Sequence, residues 1–278
     1  MVWEFIKSLI LGIVEGITEW LPVSSTGHLI LFDKFLPVRF SPAFQDMFEY
    51  VIQLAAILAV VILFWKKIFP FEIGNGGKKQ IGIQINIFKM WLKVIVACIP
   101  AAVVGLLFDE FFESLFYNGV CVSIALIVFG IGFIIIENKN KGAKTKINSL
   151  SEITYQTALI IGLFQLIAAI FPGTSRSGAT ILGALLIGVS RTVAAEFTFF
   201  LAIPVMLGAS LLKILKFGFS FTGNELMILL TGMVTAFVVS VIVIKFLMGY
   251  IKKHDFKVFG WYRIVLGIVV LLYFMLFK

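Results

Sequence analysis

GIVEGITEWLPVSSTGH, from Gly12 to His28, and GLFQLIAAIFPGTSRSG, from Gly162 to Gly178, are two versions of one pattern. At a constant offset of 150 residues, Gly12 matches Gly162, Glu15 matches Gln165, Pro22 matches Pro172, Ser24 matches Thr174 and Ser25 matches Ser175. Each copy is an apolar helical stretch that ends in proline and a cluster of hydroxyls. Proline denies the helix a backbone N–H, so each stretch must break there. A break duplicated inside apolar sequence predicts two half-sites that meet within a membrane.

The surrounding sequence fixes the solvent. Hydrophobic residues make up 60% of the 278, Phe occurs 30 times, and the mean hydropathy is +1.07. Charged residues are 14% of the chain, against about 25% in a soluble domain, and they cluster between long apolar runs. The expected fold class is therefore an all-α polytopic membrane protein. A transmembrane barrel is excluded, because the runs are too long and too uniformly apolar for alternating strands. The opening residues do not read as a cleaved signal, since Glu4, Glu15 and Glu19 interrupt their apolar run. Cys98 and Cys121 lack metal spacing and read as small buried apolar residues.

Six runs reach the length of a membrane span, at 47–65, 91–108, 119–136, 194–212, 225–247 and 259–277. Regions 2–36 and 153–189 are each split by the proline and hydroxyl cluster, and each second half is too short to cross. Each of these predicts a re-entrant helical hairpin. Basic loops orient the chain toward the cytoplasm. They carry Lys66, Lys67, Lys78, Lys79 and Lys89 against Glu72; Lys139, Lys141, Lys144 and Lys146; and Lys252, Lys253 and Lys257, with Arg263 following. Asp109, Glu110 and Glu113 mark an acidic outer loop, and Lys213 and Lys216 also fall outside. A hairpin plus three crossings is an odd number of crossings. Residues 1–137 and 153–278 are thus predicted to be inverted-topology repeats, joined by a cytoplasmic linker at 138–152, with both termini outside. The net charge of +8 comes largely from these loops and suits anionic lipid headgroups. No basic stripe interleaved with aromatics marks a nucleic-acid partner.

Polar residues inside such sequence carry the chemistry. Glu15 and Glu19 are four apart and share a helix face. A divalent metal, Arg176 from the other repeat, or His28 would compensate them. Ser24, Ser25 and Thr26 follow Pro22, and Thr174, Ser175 and Ser177 follow Pro172. Helices restarting there, the first near Gly27, would aim two positive N-terminal ends at one point, which is an anion site suited to phosphate. Arg176 adds a guanidinium fork for phosphate oxygens. At the common offset its counterpart is Thr26, that of Glu19 is Ala169, and that of His28 is Gly178. One half therefore carries acid and the other base, an asymmetry expected of a catalyst. His28 is placed to act as general base, general acid or metal ligand. Glu49 and Glu196 would brace the hairpins or face the interface, Pro100 and Pro204 would kink their spans, and Trp65, Trp91 and Trp261 would anchor the interface. A secondary transporter of an anion or phosphate-bearing lipid would share the inverted repeats and the arginine. It would have no need for the Glu15, Glu19 and His28 set.

EGITEWLPVSSTGH, Glu15 to His28, and PGTSRSGAT, Pro172 to Thr180, resemble the two signatures of the undecaprenyl-diphosphate phosphatase family associated with bacitracin resistance. The resemblance runs through all the predicted spans. It implies a bacterial plasma-membrane enzyme, open to the outer face, that hydrolyses undecaprenyl diphosphate to undecaprenyl phosphate and inorganic phosphate. That reaction recycles the carrier lipid of cell-wall synthesis. By the same resemblance Glu15 and Glu19 would serve a divalent metal, Mg2+ or Ca2+. Ser25 and His28 would lie at the reacting phosphate, and Arg176 would clamp it. Serine and water both stand as the attacking group.

Overall fold

The computed structural model describes residues 2–35, 40–73, 81–218 and 220–276. The chain forms α1 Val2–Thr18, α2 Ser25–Phe35, α3 Pro42–Leu63, α4 Trp65–Ile68, α5 Ile85–Phe116, α6 Gly119–Lys139, α7 Tyr155–Ile170, α8 Arg176–Leu186, α9 Arg191–Phe217, α10 Gly223–Tyr250 and α11 Lys257–Leu276. Six of these helices, α3, α5, α6, α9, α10 and α11, are long and apolar enough to cross a membrane, as expected. The sequence did not announce a short antiparallel ribbon, β1 Phe71–Ile73 and β2 Ile81–Ile83, in which Glu72 faces Gly82. Lys78 and Lys79 lie outside the described residues, whereas Lys89 belongs to α5 and not to a loop. Positions 109, 110 and 113 likewise fall in the last turns of α5, and Lys213 and Lys216 in the last turns of α9.

Local chemistry sets the helix ends. Ser41 accepts the amide of Phe44 at 3.3 Å, with Pro42 in the first turn of α3. Asn118 accepts the amide of Cys121 at 2.9 Å ahead of α6. Thr222 and Glu225 form a reciprocal capping box ahead of α10. Pro100 and Pro204 sit inside α5 and α9, and both helices continue through them.

Long-range contacts give the relative directions of the helices. Asp46 meets Lys213 at 2.7 Å and the Tyr50 carbonyl accepts from Ser210 at 2.6 Å, while Phe64 packs on Phe199 and Phe200. Positions rise in α3 as they fall in α9, so the two helices are antiparallel. Gly130 of α6 abuts Gly260 of α11, and Ser123 abuts Gly267, which makes that pair antiparallel as well. α1 instead runs parallel to α10: Ser8 donates to the Ile228 carbonyl at 2.6 Å, Gly12 lies against Gly232, and Gly16 against Ala236. α7 packs on α5 in the corresponding way, with Gly162 against Ala97.

These close crossings account for two of the signature glycines. A Cβ on Gly12 would lie 2.7 Å from the Gly232 carbonyl oxygen, and one on Gly162 would lie 2.3 Å from that of Ala97. Backbone approaches backbone there, so neither contact can relax by a rotamer change. Gly162→Ala is expected to lower the thermal midpoint of the purified protein by overpacking, which costs about 1–3 kcal/mol. Gly105→Ala, with nothing within 4 Å of the new carbon, is the control and should leave the midpoint in place.

Ion pairs tie the ends of the bundle. Lys67 of α4 pairs with Glu196 of α9 at 2.7 Å, so Glu196 braces that helix pair. The amide side chain of Gln45 donates to Glu49 at 3.2 Å. Arg191 binds the buried Glu137 through Nε and Nη2, and Glu137 also accepts the Phe256 amide at 3.0 Å, which joins α9, α6 and the start of α11. The linker folds back on the α8–α9 turn, where the Lys146 amide donates to the Gly188 carbonyl at 2.8 Å. Trp65 and Trp261 are exposed as interface anchors would be, but Trp91 is half-buried and its indole N–H donates to the Ile68 carbonyl at 2.7 Å. Cys98 and Cys121 are free and only half-buried.

Candidate active site

Both hairpins break where proline and the hydroxyls required. α1 ends at Thr18, residues 19–23 form a turn, and α2 starts at Ser25, two residues before the expected restart. α7 ends at Ile170 and α8 starts at Arg176. Ser24 and Ser175 are the non-glycine residues held at positive φ among the described residues, at 72° and 68°. Each then caps the helix it precedes. Ser24 Oγ accepts from the Gly27 amide at 3.3 Å, and Ser175 Oγ accepts from the Gly178 amide at 3.1 Å. Left-handed backbone at a residue bearing a Cβ costs about 1–3 kcal/mol and tends to be kept at functional sites.

This shared geometry corrects the register of the repeat. The offset of 150 holds through Pro22 and Pro172 but becomes 151 at the caps, because two residues, Gly173 (φ 88°) and Thr174, separate Pro172 from Ser175 where Val23 alone separates Pro22 from Ser24. Ser24 is therefore equivalent to Ser175, not Thr174. The counterpart of Arg176 is Ser25, not Thr26, and that of His28 is Ala179, not Gly178. The two helix starts present a hydroxyl and a guanidinium at the same position of the hairpin.

The hairpins meet at Glu19. Arg176 Nη2 donates to Glu19 Oε1 at 2.5 Å, and the Ser25 hydroxyl lies 3.5 Å from Glu19 Oε2. Ser177 donates to the Glu19 carbonyl at 3.1 Å and lies 3.2 Å from Ser175. Arg176 Nε and Nη1 are buried and make no hydrogen bond among the described residues, so the fork keeps donors for a further anion. α2 and α8 also keep first-turn amides that their caps do not reach. Thr26 is half-buried on the first turn of α2, and the buried Thr174 hydroxyl makes no hydrogen bond among the described residues. Thr180 and Thr198, 2.9 Å apart, lock α8 onto α9 beneath the site.

Glu15 lies one turn before Glu19, fully buried, and both its oxygens are without a hydrogen bond among the described residues. Glu19 and Glu49 are its acidic neighbours and Arg176 its cationic one. No group of three or more His, Cys, Asp or Glu gathers for a metal among the described residues. Two carboxylates still fit a hard divalent cation that takes its remaining ligands from phosphate oxygens and water. Gln165, the counterpart of Glu15, is also buried, and its amide makes no hydrogen bond among the described residues either.

His28 lies one turn along α2 from Ser25. Its Nδ1 lies 2.7 Å from the Ser24 carbonyl and its Nε2 lies 2.6 Å from the Tyr262 hydroxyl.

The sequence reading missed Arg263. It had been placed among the cytoplasmic charges, yet it is 0% exposed. Its Nη1 donates to the Pro22 carbonyl at 3.2 Å, and its Nη2 donates to the carbonyls of Gly173 and Thr174 at 3.1 and 2.6 Å. One guanidinium thus joins both hairpin turns. The signal was present, since Arg263 falls within the predicted span 259–277 and an intramembrane charge marks a site by default.

The family model described as "Bacitracin resistance protein BacA" matches residues 8–269. The chain is 67% identical over 271 residues to the undecaprenyl-diphosphatase of Desulfitobacterium hafniense, covering 98% of this chain and 96% of that one. It is 62% identical over 273 residues to undecaprenyl-diphosphatase 1 of Clostridium acetobutylicum, covering 98% of each. It is 61% identical over 269 residues to the undecaprenyl-diphosphatase of Enterococcus faecalis, covering 97% and 96%. With both signatures at the meeting point of the hairpins and the match spanning nearly the whole chain, the protein belongs to the bacitracin resistance protein BacA family.

Proposed function

We propose that this protein is a membrane phosphatase that hydrolyses undecaprenyl diphosphate to undecaprenyl phosphate and inorganic phosphate, returning the carrier lipid to cell-wall synthesis. The observation that carries this reading is the convergence on Glu19 of two helix N-termini, one bringing Ser25 and the other Arg176. The lipid tail stays among the spans while the diphosphate enters between the hairpin turns. Arg176 and the first-turn amides of α2 and α8 hold the terminal phosphoryl oxygens, where charge must be stabilised. Ser25 Oγ attacks the terminal phosphorus, the bond to the bridging oxygen breaks, and the Ser25 proton passes to Glu19. Undecaprenyl phosphate leaves, and water then cleaves the phosphoserine. Glu15 and Glu19 would hold a Mg2+ or Ca2+ ion, which would neutralise diphosphate charge.

The same reading makes the two halves inverted repeats, each a re-entrant hairpin and three spans, with both termini and the site toward the outer face. Its support is the antiparallel pairing of two of the three spans with their counterparts, α3 with α9 and α6 with α11. Each hairpin also leans on a helix of the other half. The lysine-rich ends lie together on the opposite side.

Purified protein in lipid should release inorganic phosphate from undecaprenyl diphosphate, and a chelator should abolish release until Mg2+ or Ca2+ is restored. Ser25→Ala separates the attacking groups, since survival of turnover would assign the attack to water. Saturable substrate binding with no phosphate released under any ion would replace the phosphatase with a carrier.

A further inference from the structure

We propose that Tyr262 is a positioning residue of the reaction, its hydroxyl holding His28 in one tautomer and one ring orientation at the edge of the site. This rests on the reading, implied by the family resemblance, that His28 lies at the reacting phosphate. The Ser24 carbonyl can only accept, so His28 Nδ1, 2.7 Å away, carries a hydrogen. In the neutral ring the lone pair is then on Nε2, and the Tyr262 hydroxyl 2.6 Å away donates to it. Neither bond survives a ring flip.

Stacking adds a second restraint. The two rings lie 5.6 Å apart between centroids with planes 10° from parallel. Tyr262 is adjacent in sequence to Arg263, which holds the Pro22 carbonyl. One turn of α11 thus fixes both the loop that carries Ser24 and the imidazole that leans on it. The first repeat provides the histidine and the second repeat provides its support, so the active position of His28 exists only when the halves are packed together.

Tyr262→Phe keeps the stacked ring and deletes only the hydroxyl. Phosphate release from undecaprenyl diphosphate should show kcat lower by about fivefold, the factor one neutral hydrogen bond is worth. KM and the thermal midpoint should not move. In a His28→Ala background, measured on the residual activity, Tyr262→Phe should change nothing further, because its effect passes through the imidazole. Wild-type kcat in Tyr262→Phe, with His28→Ala impaired, overturns the inference and leaves the histidine assignment standing. A loss that multiplies onto His28→Ala overturns it as well, since Tyr262 would then act elsewhere. Wild-type turnover in His28→Ala removes the histidine from the reaction and the inference with it.

Discussion

Arg263→Met is expected to lower the thermal midpoint of the protein sharply and to abolish phosphate release with it. Methionine fills the space of the arginine stem but offers no donor to the carbonyls of Pro22, Gly173 and Thr174. A buried acceptor left without its partner costs about 1–3 kcal/mol, so three of them amount to several kcal/mol. Relief from burying a guanidinium offsets part of that. The geometric loss has no such offset, because the two turns are no longer tied to one point and Glu19, Ser25 and Arg176 lose their common frame. Displacements of about 1 Å at a reacting centre cost roughly a hundredfold in rate. Arg263→Lys, with one ammonium in place of a planar fork, should fall between methionine and the parent in both readouts. A methionine variant with the parent's midpoint and turnover would mean that the turns hold themselves.

The second large effect is expected at Arg176. Arg176→Ala should reduce phosphate release by a factor of about 100–1,000, the size seen when one preorganised electrostatic contact to a transition state is removed. The same substitution strands Glu19, whose Oε1 it pairs at 2.5 Å in a nearly buried setting, so stability must be followed beside rate. Arg176→Ala/Glu19→Gln, which removes both charges, should recover the midpoint but not the turnover. Recovery of both would make the arginine a structural partner, and normal release by Arg176→Ala alone would remove the phosphate clamp from the mechanism.

Much of this architecture was legible in the residues. The six long apolar helices follow from run length, because a span must satisfy its own backbone and needs only enough apolar residues to do so. The hairpin breaks follow from Pro22 and Pro172, whose missing N–H acts locally. Glu15, Glu19, Ser25 and Arg176 stood out because each is costly in apolar sequence. The reading failed where a local signal was outvoted from a distance. Arg263 looked like one more basic residue after Lys257, and only the folded chain puts it against Pro22 and Gly173. Tyr262 had no sequence signal, since a tyrosine near a span end is ordinarily an interface anchor. The repeat register slipped after the prolines because a constant offset cannot register one added residue between proline and cap, whereas the caps formed by Ser24 and Ser175 can.

The sequence by itself determined the solvent, the number of long apolar helices, the places where two more helices must break, and the set of polar residues available for chemistry. These are properties of short stretches, fixed by backbone hydrogen bonding and by the transfer of apolar side chains out of water. Tertiary structure alone decided that Arg176 reaches Glu19, that Arg263 joins the two turns, and that His28 faces Tyr262 across the two halves. Those pairings depend on how closely helices cross, as at Gly12 and Gly162, and close packing is settled by all the elements together.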